Sequence, residues 1–113
     1  MWRDDAYLLD MLLAARKIQK YAHGYDFERF EEEDVLQDAI MRRIQIIGEA
    51  ARKVSPEFKE AHPEIAWTDI IGMRHRLVHD YSQIIPEKVW ETVVKDIPVL
   101  ISQIEPLVPP ENP

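Results

Sequence analysis

The sequence predicts an all-α protein, an antiparallel bundle of four main helices plus a short connecting helix. Three observations carry that prediction. Apolar residues recur at three- and four-residue steps along most of the chain, the spacing that gathers them on one face of a helix. No segment sustains the one-in-two alternation of a half-buried strand. The first 55 residues hold no proline and only two glycines, so little interrupts a helix there. Short connections make sequential helices antiparallel neighbours.

The first helix is expected over residues 4–22, with Leu8, Leu12, Ala15, Ile18 and Ala22 on one face, Leu9 and Leu13 beside them, and Gly24 as its stop. Residues 25–30 read as a connection. Glu31, Glu32, Glu33 and Asp34 suit the first turn of the next helix, where unpaired N–H groups favour anions. Leu36, Ile40, Ile44, Ile47, Ala51 and Val54 carry that helix to about Val54. Ser55-Pro56 restarts the chain, with Ser as N-cap and Pro at the first helical position. The short helix that follows ends before His62-Pro63. A third substantial helix starts at Trp67 or Thr68. Ile70, Ile71, Leu77 and Val78 form its face, Gly72 is a costly interior residue, and Tyr81-Ser82-Gln83 is its exit. Pro86 opens the last helix, whose face is Trp90, Val93, Ile97, Leu100 and Ile104. Pro98 lies inside that pattern and should kink it. Residues 1–105 thus form one helical domain. Residues 106–113, with four prolines in eight positions, form a tail expected to be extended or disordered.

The chain has 113 residues, 46% of them apolar and 31% charged, which is ordinary composition for one soluble domain. A single core forms at this size but leaves much surface exposed, and dimerisation would help. The lack of cysteine excludes a disulfide framework, a thiol nucleophile and a zinc ribbon. No apolar run is long enough to span a membrane, and the acidic opening MWRDDAY lacks a signal-peptide layout, so a cytoplasmic setting is expected. The net charge of −7 argues against a general nucleic-acid coat protein. Its distribution is uneven. Residues 1–41 carry −5, residues 42–79 carry +2 and residues 80–113 carry −4. A phosphate ligand meets least repulsion in the middle third, although surface solubility accounts for the same pattern about as well.

The chemistry-bearing stretch is Gly72-Met73-Arg74-His75-Arg76-Leu77-Val78-His79-Asp80-Tyr81. Spacing allows a metal reading, because His75 and His79 at i and i+4 share a helix face. Against it, no glutamate stands in the general-base position of a zinc hydrolase motif, and Arg74 and Arg76 repel a divalent cation. Asp80 projects about 100° from His79 on a helix, a poor third ligand. No metal and no cofactor are therefore expected. The same residues suit metal-free phosphodiester chemistry. An imidazole, His79, moves a proton, and a fixed guanidinium, Arg74, stabilises charge growing on phosphate oxygens. RNA brings its own nucleophile in the 2′-hydroxyl, so the protein needs none. A plainer reading pairs Arg74 with a carboxylate such as Glu49 and leaves His79 at a helix end, and spacing alone favours it. Geometry raises an objection too. Five residues apart on a straight helix, Arg74 and His79 diverge by about 140°. Bringing them together requires that the helix loosen near His79, that both reach around a groove, or that a two-fold dimer set two copies of the segment face to face. Arg42, Arg43 and Arg76 are candidate phosphate contacts, or equally solvated charges. His23 and His62 read as surface residues, and Trp67 and Trp90 as core or interface anchors.

The segment resembles the Arg-x4-His-x-Tyr signature of the HepT-like toxins, a prokaryotic branch of the HEPN superfamily. Here it reads Arg74, then four residues, His79, Asp80 and Tyr81. IGEAARKVS at residues 47–55, HPEIAW at 62–67 and the Val89-Trp90 pair are similar to the same family's pattern. The resemblance implies a HEPN-like helical bundle that homodimerises and acts as a metal-independent endoribonuclease, the toxin of a type II/VII-like toxin–antitoxin system. It implies Arg74 as the phosphate-stabilising residue and His79 as the proton-transfer residue. It implies a nucleotidyltransferase antitoxin that silences the toxin by attaching AMP to Tyr81, which would block the cleft and repel RNA. His75 stands where many relatives carry asparagine, and His75, Arg76, Asp80 and Glu49 are candidate supporting residues. Two other classes remain open: a non-catalytic HEPN module that binds a nucleotide or a partner, and a structural or metal-binding bundle.

Overall fold

In the computed structural model, which describes residues 2–80 and 83–110, the two longest helices form the centre of the fold. α1 (Trp2–Ala22) and α3 (Asp34–Lys53) pack along each other more extensively than any other pair of elements. α1 contributes Leu8, Met11, Ala15 and Ile18 to the core and α3 contributes Ile40, Ile44, Ile47 and Ala51, all fully buried. Burial of each of the larger side chains is worth about 1.5–3 kcal/mol. Gly24 stops α1 in the left-handed region at φ 83°, as its position suggested.

The stretch expected as a plain connection instead contains a short helix, α2 (Phe27–Glu31). The Asp26 carboxylate caps it, accepting from the Arg29 N–H at 2.9 Å. Phe30 is fully buried and stacks on Trp90, with ring centroids 5.0 Å apart. The buried Gln37 amide donates to the Phe30 and Glu31 carbonyls at 2.9 and 3.0 Å, satisfying the end of this helix.

α4 (Pro56–Ala61) begins as expected, with Ser55 accepting from the Phe58 N–H at 3.1 Å. Ser55 is itself held from the far end of α1. The buried Asp4 carboxylate accepts from the Ser55 N–H at 2.9 Å and from its hydroxyl at 2.7 Å. Burial opposes the Asp4 charge, but these two bonds and nearby Lys59 outweigh it, and its pKa is lowered. The chain then turns through His62-Pro63 into α5 (Trp67–Ile71). The Trp67 indole N–H closes this turn by donating to the His62 carbonyl at 3.0 Å.

The continuous helix expected from Trp67 through Val78 is broken. α5 ends at Ile71, a 3-10 turn covers Arg74–Leu77, and Val78 is extended at φ −130°, ψ 151°. A carbonyl explains the break. In a continued helix the Met73 N–H would bond to the Asp69 carbonyl, four residues back. Here it bonds to Ile70 at 3.2 Å, and the Arg76 guanidinium takes the Asp69 carbonyl at 3.0 Å. Two short antiparallel strands follow, β1 (Val78–His79) and β2 (Gln83–Ile84), with Val78 opposite Ile84 and His79 opposite Gln83. Strands of two residues are too short to leave an alternation in the sequence.

α6 (Pro86–Glu91), a π turn (Thr92–Asp96) and α7 (Ile97–Ile104) form one continuous helical path, with α6 against α2 and the π turn and α7 against α1. The expected effect of Pro98 takes this form. Its ring would crowd the carbonyl of Val94, and widening the preceding turn relieves that contact. The Ile97 N–H accordingly reaches Thr92, five residues back. Beyond Ile104 the chain makes a 3-10 turn (Glu105–Leu107), and Leu107 and Val108 pack against the core.

Candidate functional site

The site is founded on Gly48. A Cβ at this position would lie 3.2 Å from the Ile71 carbonyl oxygen and 3.5 Å from that of Ile70, so glycine lets α3 meet the end of α5 a few tenths of an ångström closer than a side chain would. Beside the contact lies a cleft of about 160 Å³. Gln45, Glu49 and Arg52 line it from α3, at positions four and three residues apart and therefore on one face. Ile71 and Arg74 close the other side. Arg74 projects into this cleft because the chain leaves helical geometry just before it.

The neighbouring residues diverge from Arg74. Arg76, bonded to the Asp69 carbonyl, lines a different groove of about 190 Å³, shared with Met73, Asp96 and Val99. Its observed contact is structural: it ends α5. His75 is exposed on the 3-10 turn. His79 is exposed on β1, on the strand face opposite Val78 and across from Gln83, while Val78 and Ile84 pack against the core. Asp80 is exposed and left-handed, at φ 52°. Tyr81, the motif tyrosine, lies outside the described residues.

This arrangement answers the objection from helix geometry. His75 and His79 no longer share a helix face, since one sits on a 3-10 turn and the other on a strand. The argument for a paired metal site from their spacing therefore does not apply. Nor does the 140° divergence of Arg74 and His79, because the chain has loosened before His79, one of the three ways open to it. In the single chain His79 is not among the residues lining the Arg74 cleft.

Glu49 and Arg74 share the cleft without forming an ion pair. Glu49 accepts instead from the Gln45 amide at 3.2 Å. The plainer reading, in which Arg74 is held by Glu49, is thus not what the structure shows. Arg43 is turned toward α1, 3.4 Å from the Tyr21 hydroxyl and 5.9 Å from the ring centroid. His62 stacks on Phe58 and lies 3.3 Å from Glu64. Arg52 is a cleft residue that the reading of the sequence passed over. Its signal was present in the spacing of Gln45, Glu49 and Arg52, but nothing in that spacing says that α5 docks beside this face.

A family model described as "Ribonuclease HepT-like" matches residues 11–107. The chain belongs to the HepT-like ribonuclease family. Among its relatives, "Putative RNase TTE0752" of Caldanaerobacter subterraneus subsp. tengcongensis is 35% identical, covering 94% of this chain and 95% of its own. "Probable ribonuclease HepT" of Thermococcus cleftensis is 37% identical, covering 89% and 92%. No solved structure matches the chain. The matched span of this HepT-like chain holds both Arg74 and His79. Among the described residues no helix is long and apolar enough to cross a membrane.

Proposed function

We propose that this HepT-like protein is a toxin of a toxin–antitoxin pair that cuts RNA internally without a metal ion, with His79 and Arg74 as its catalytic residues. His79 takes the proton of a 2′-hydroxyl, and the freed oxygen attacks the adjacent phosphorus. The bond from phosphorus to the 5′-oxygen breaks, leaving a 2′,3′-cyclic phosphate and a 5′-hydroxyl. The departing oxygen takes a proton from a second acid. The Arg74 fork stabilises the charge that grows on the non-bridging oxygens. The observation that carries this reading is the helix break after Ile71, which leaves a guanidinium and an imidazole of the family segment both exposed.

Because His79 stands outside the Arg74 cleft of its own protomer, the reading includes a two-fold homodimer in which segments from both copies share one opening. The second histidine then serves as the acid. Control falls to a nucleotidyltransferase antitoxin that adds AMP to Tyr81, two residues from His79 in the chain, placing a bulky anion beside the reacting groups. The location of His79 is also what a nucleotide- or partner-binding module without cleavage would have, so cleavage is the deciding test. The purified protein should cut RNA in excess chelator and leave 2′,3′-cyclic ends. Arg74→Ala and His79→Ala should each lower the rate by about 10²–10⁴-fold. Undiminished cleavage by both variants would falsify the assignment.

A further inference from the structure

We propose that Arg42 and Arg52 form a phosphate track along α3, holding single-stranded RNA on either side of the phosphate gripped by Arg74. This rests on the ribonuclease reading and adds to it where the substrate strand runs.

The pattern of arginine pairing carries the argument. Most arginines of this acidic protein are engaged. Arg16 pairs with Glu105, Arg29 bonds to the Gly24 carbonyl and lies over the Tyr25 ring, Arg43 meets Tyr21, and Arg76 holds the Asp69 carbonyl. Arg3 also has a partner. Among the described arginines, Arg42, Arg52 and Arg74 are the ones whose side chains carry no hydrogen bond, ion pair or ring contact. Those three are not scattered. Arg42, Gln45, Glu49 and Arg52 follow one another at steps of three, four and three residues, a continuous stripe on α3. Arg74 faces that stripe across the cleft, which Gln45, Glu49 and Arg52 line from the α3 side. All three guanidiniums are exposed, and with no partner in the protein they are available to the phosphates of a polyanion. From Arg42 to Arg52 the stripe runs about 15 Å, long enough for several phosphates of one strand. The planar fork of arginine matches phosphate oxygens, and the Gln45 amide between them offers hydrogen bonds to a base or sugar. A single carboxylate, Glu49, interrupts the stripe, and it is engaged by the Gln45 amide rather than by either arginine.

The test measures binding apart from cleavage. A fluorescein-labelled 12-nucleotide deoxy strand lacks the 2′-hydroxyl nucleophile, so its anisotropy reports affinity whether or not the protein cuts RNA. Arg42→Ala and Arg52→Ala should each weaken binding about 5–10-fold near 0.1 M salt. Each should also reduce the slope of log affinity against log salt by about 0.7, the value for one lost phosphate contact on a single strand. Arg52→Lys should restore most of the slope, and Lys17→Ala, on the exposed side of α1, should change neither quantity. A merely structural role would lower affinity without changing the slope. A wild-type slope in either alanine variant, or no binding of the strand by the parent protein, overturns the track. Cleavage of RNA by the parent protein in that case would leave the ribonuclease reading standing.

Discussion

Single atoms govern two of the contacts that shape this molecule. At Gly48 a methyl group meets a backbone carbonyl, which cannot swing aside as a side-chain tip can. Gly48→Ala gains about 1 kcal/mol of helix propensity and loses a comparable amount to crowding. Gly48→Val adds bulk without that gain, and should lower the stability measured in urea by about 2–3 kcal/mol while displacing Arg74 from α3. Asp4 sets the acid limit of one tether. Its folded pKa lies below the ordinary carboxylate value, so its contribution is complete above about pH 4–5 and is lost as pH falls through the folded pKa. Asp4→Asn should therefore be less stable than the parent at pH 7, and the gap should narrow steadily toward pH 2. Urea midpoints of both proteins across that range check the sign.

The segment between α5 and α6 shows how an element is set by something other than its own periodicity. Ile70, Ile71, Leu77 and Val78 fit a helical face as a string of letters, yet the backbone takes three different forms across them. The competitor is a side chain. Arg76 takes a carbonyl that the helix would have used, and propensity at Gly72 is too weak to resist. Removing that clasp in Arg76→Ala should cost about 0.5–1.5 kcal/mol. Cleavage should fall by less than about tenfold, far short of the loss on changing Arg74, since Arg76 points into the other groove. Equal losses for the two variants, compared in one RNA assay, would place Arg76 on the substrate instead. The π turn before Pro98 follows the same logic, with the proline ring as the competitor.

At the level of the whole molecule the acidic net charge and the RNA substrate are reconciled by local geometry. The unpaired guanidiniums collect on one stripe of α3 and across one cleft, while acidic side chains crowd the rest of the surface. The proposed dimer makes a specific prediction about composite sites. If the shared opening uses the His79 of both copies, one as base and one as acid, a heterodimer of parent and His79→Ala chains lacks one of the two. Equal amounts of the two proteins, mixed through unfolding and refolding, should then keep about one quarter of the parent activity, carried by the parent homodimers that random pairing leaves. If each chain acts by itself, about one half of the activity remains.

The all-α class, the long faces of α1 and α3, the Ser55-Pro56 start of α4 and the family segment from Gly72 to Tyr81 are legible in the order of residues alone. These features are local. Spacing, capping chemistry and motif order are written in neighbouring residues, so no distant contact is needed to recognise them. Tertiary structure alone decided that the helix breaks after Ile71, that Arg74 and Arg76 part to opposite grooves, and that Arg52 shares the Arg74 cleft. Each depends on α3 and α5 meeting at Gly48 or on Arg76 finding a carbonyl seven residues back. Helical periodicity records which side of a helix is buried, but not which partner buries it or which backbone group a long side chain will reach.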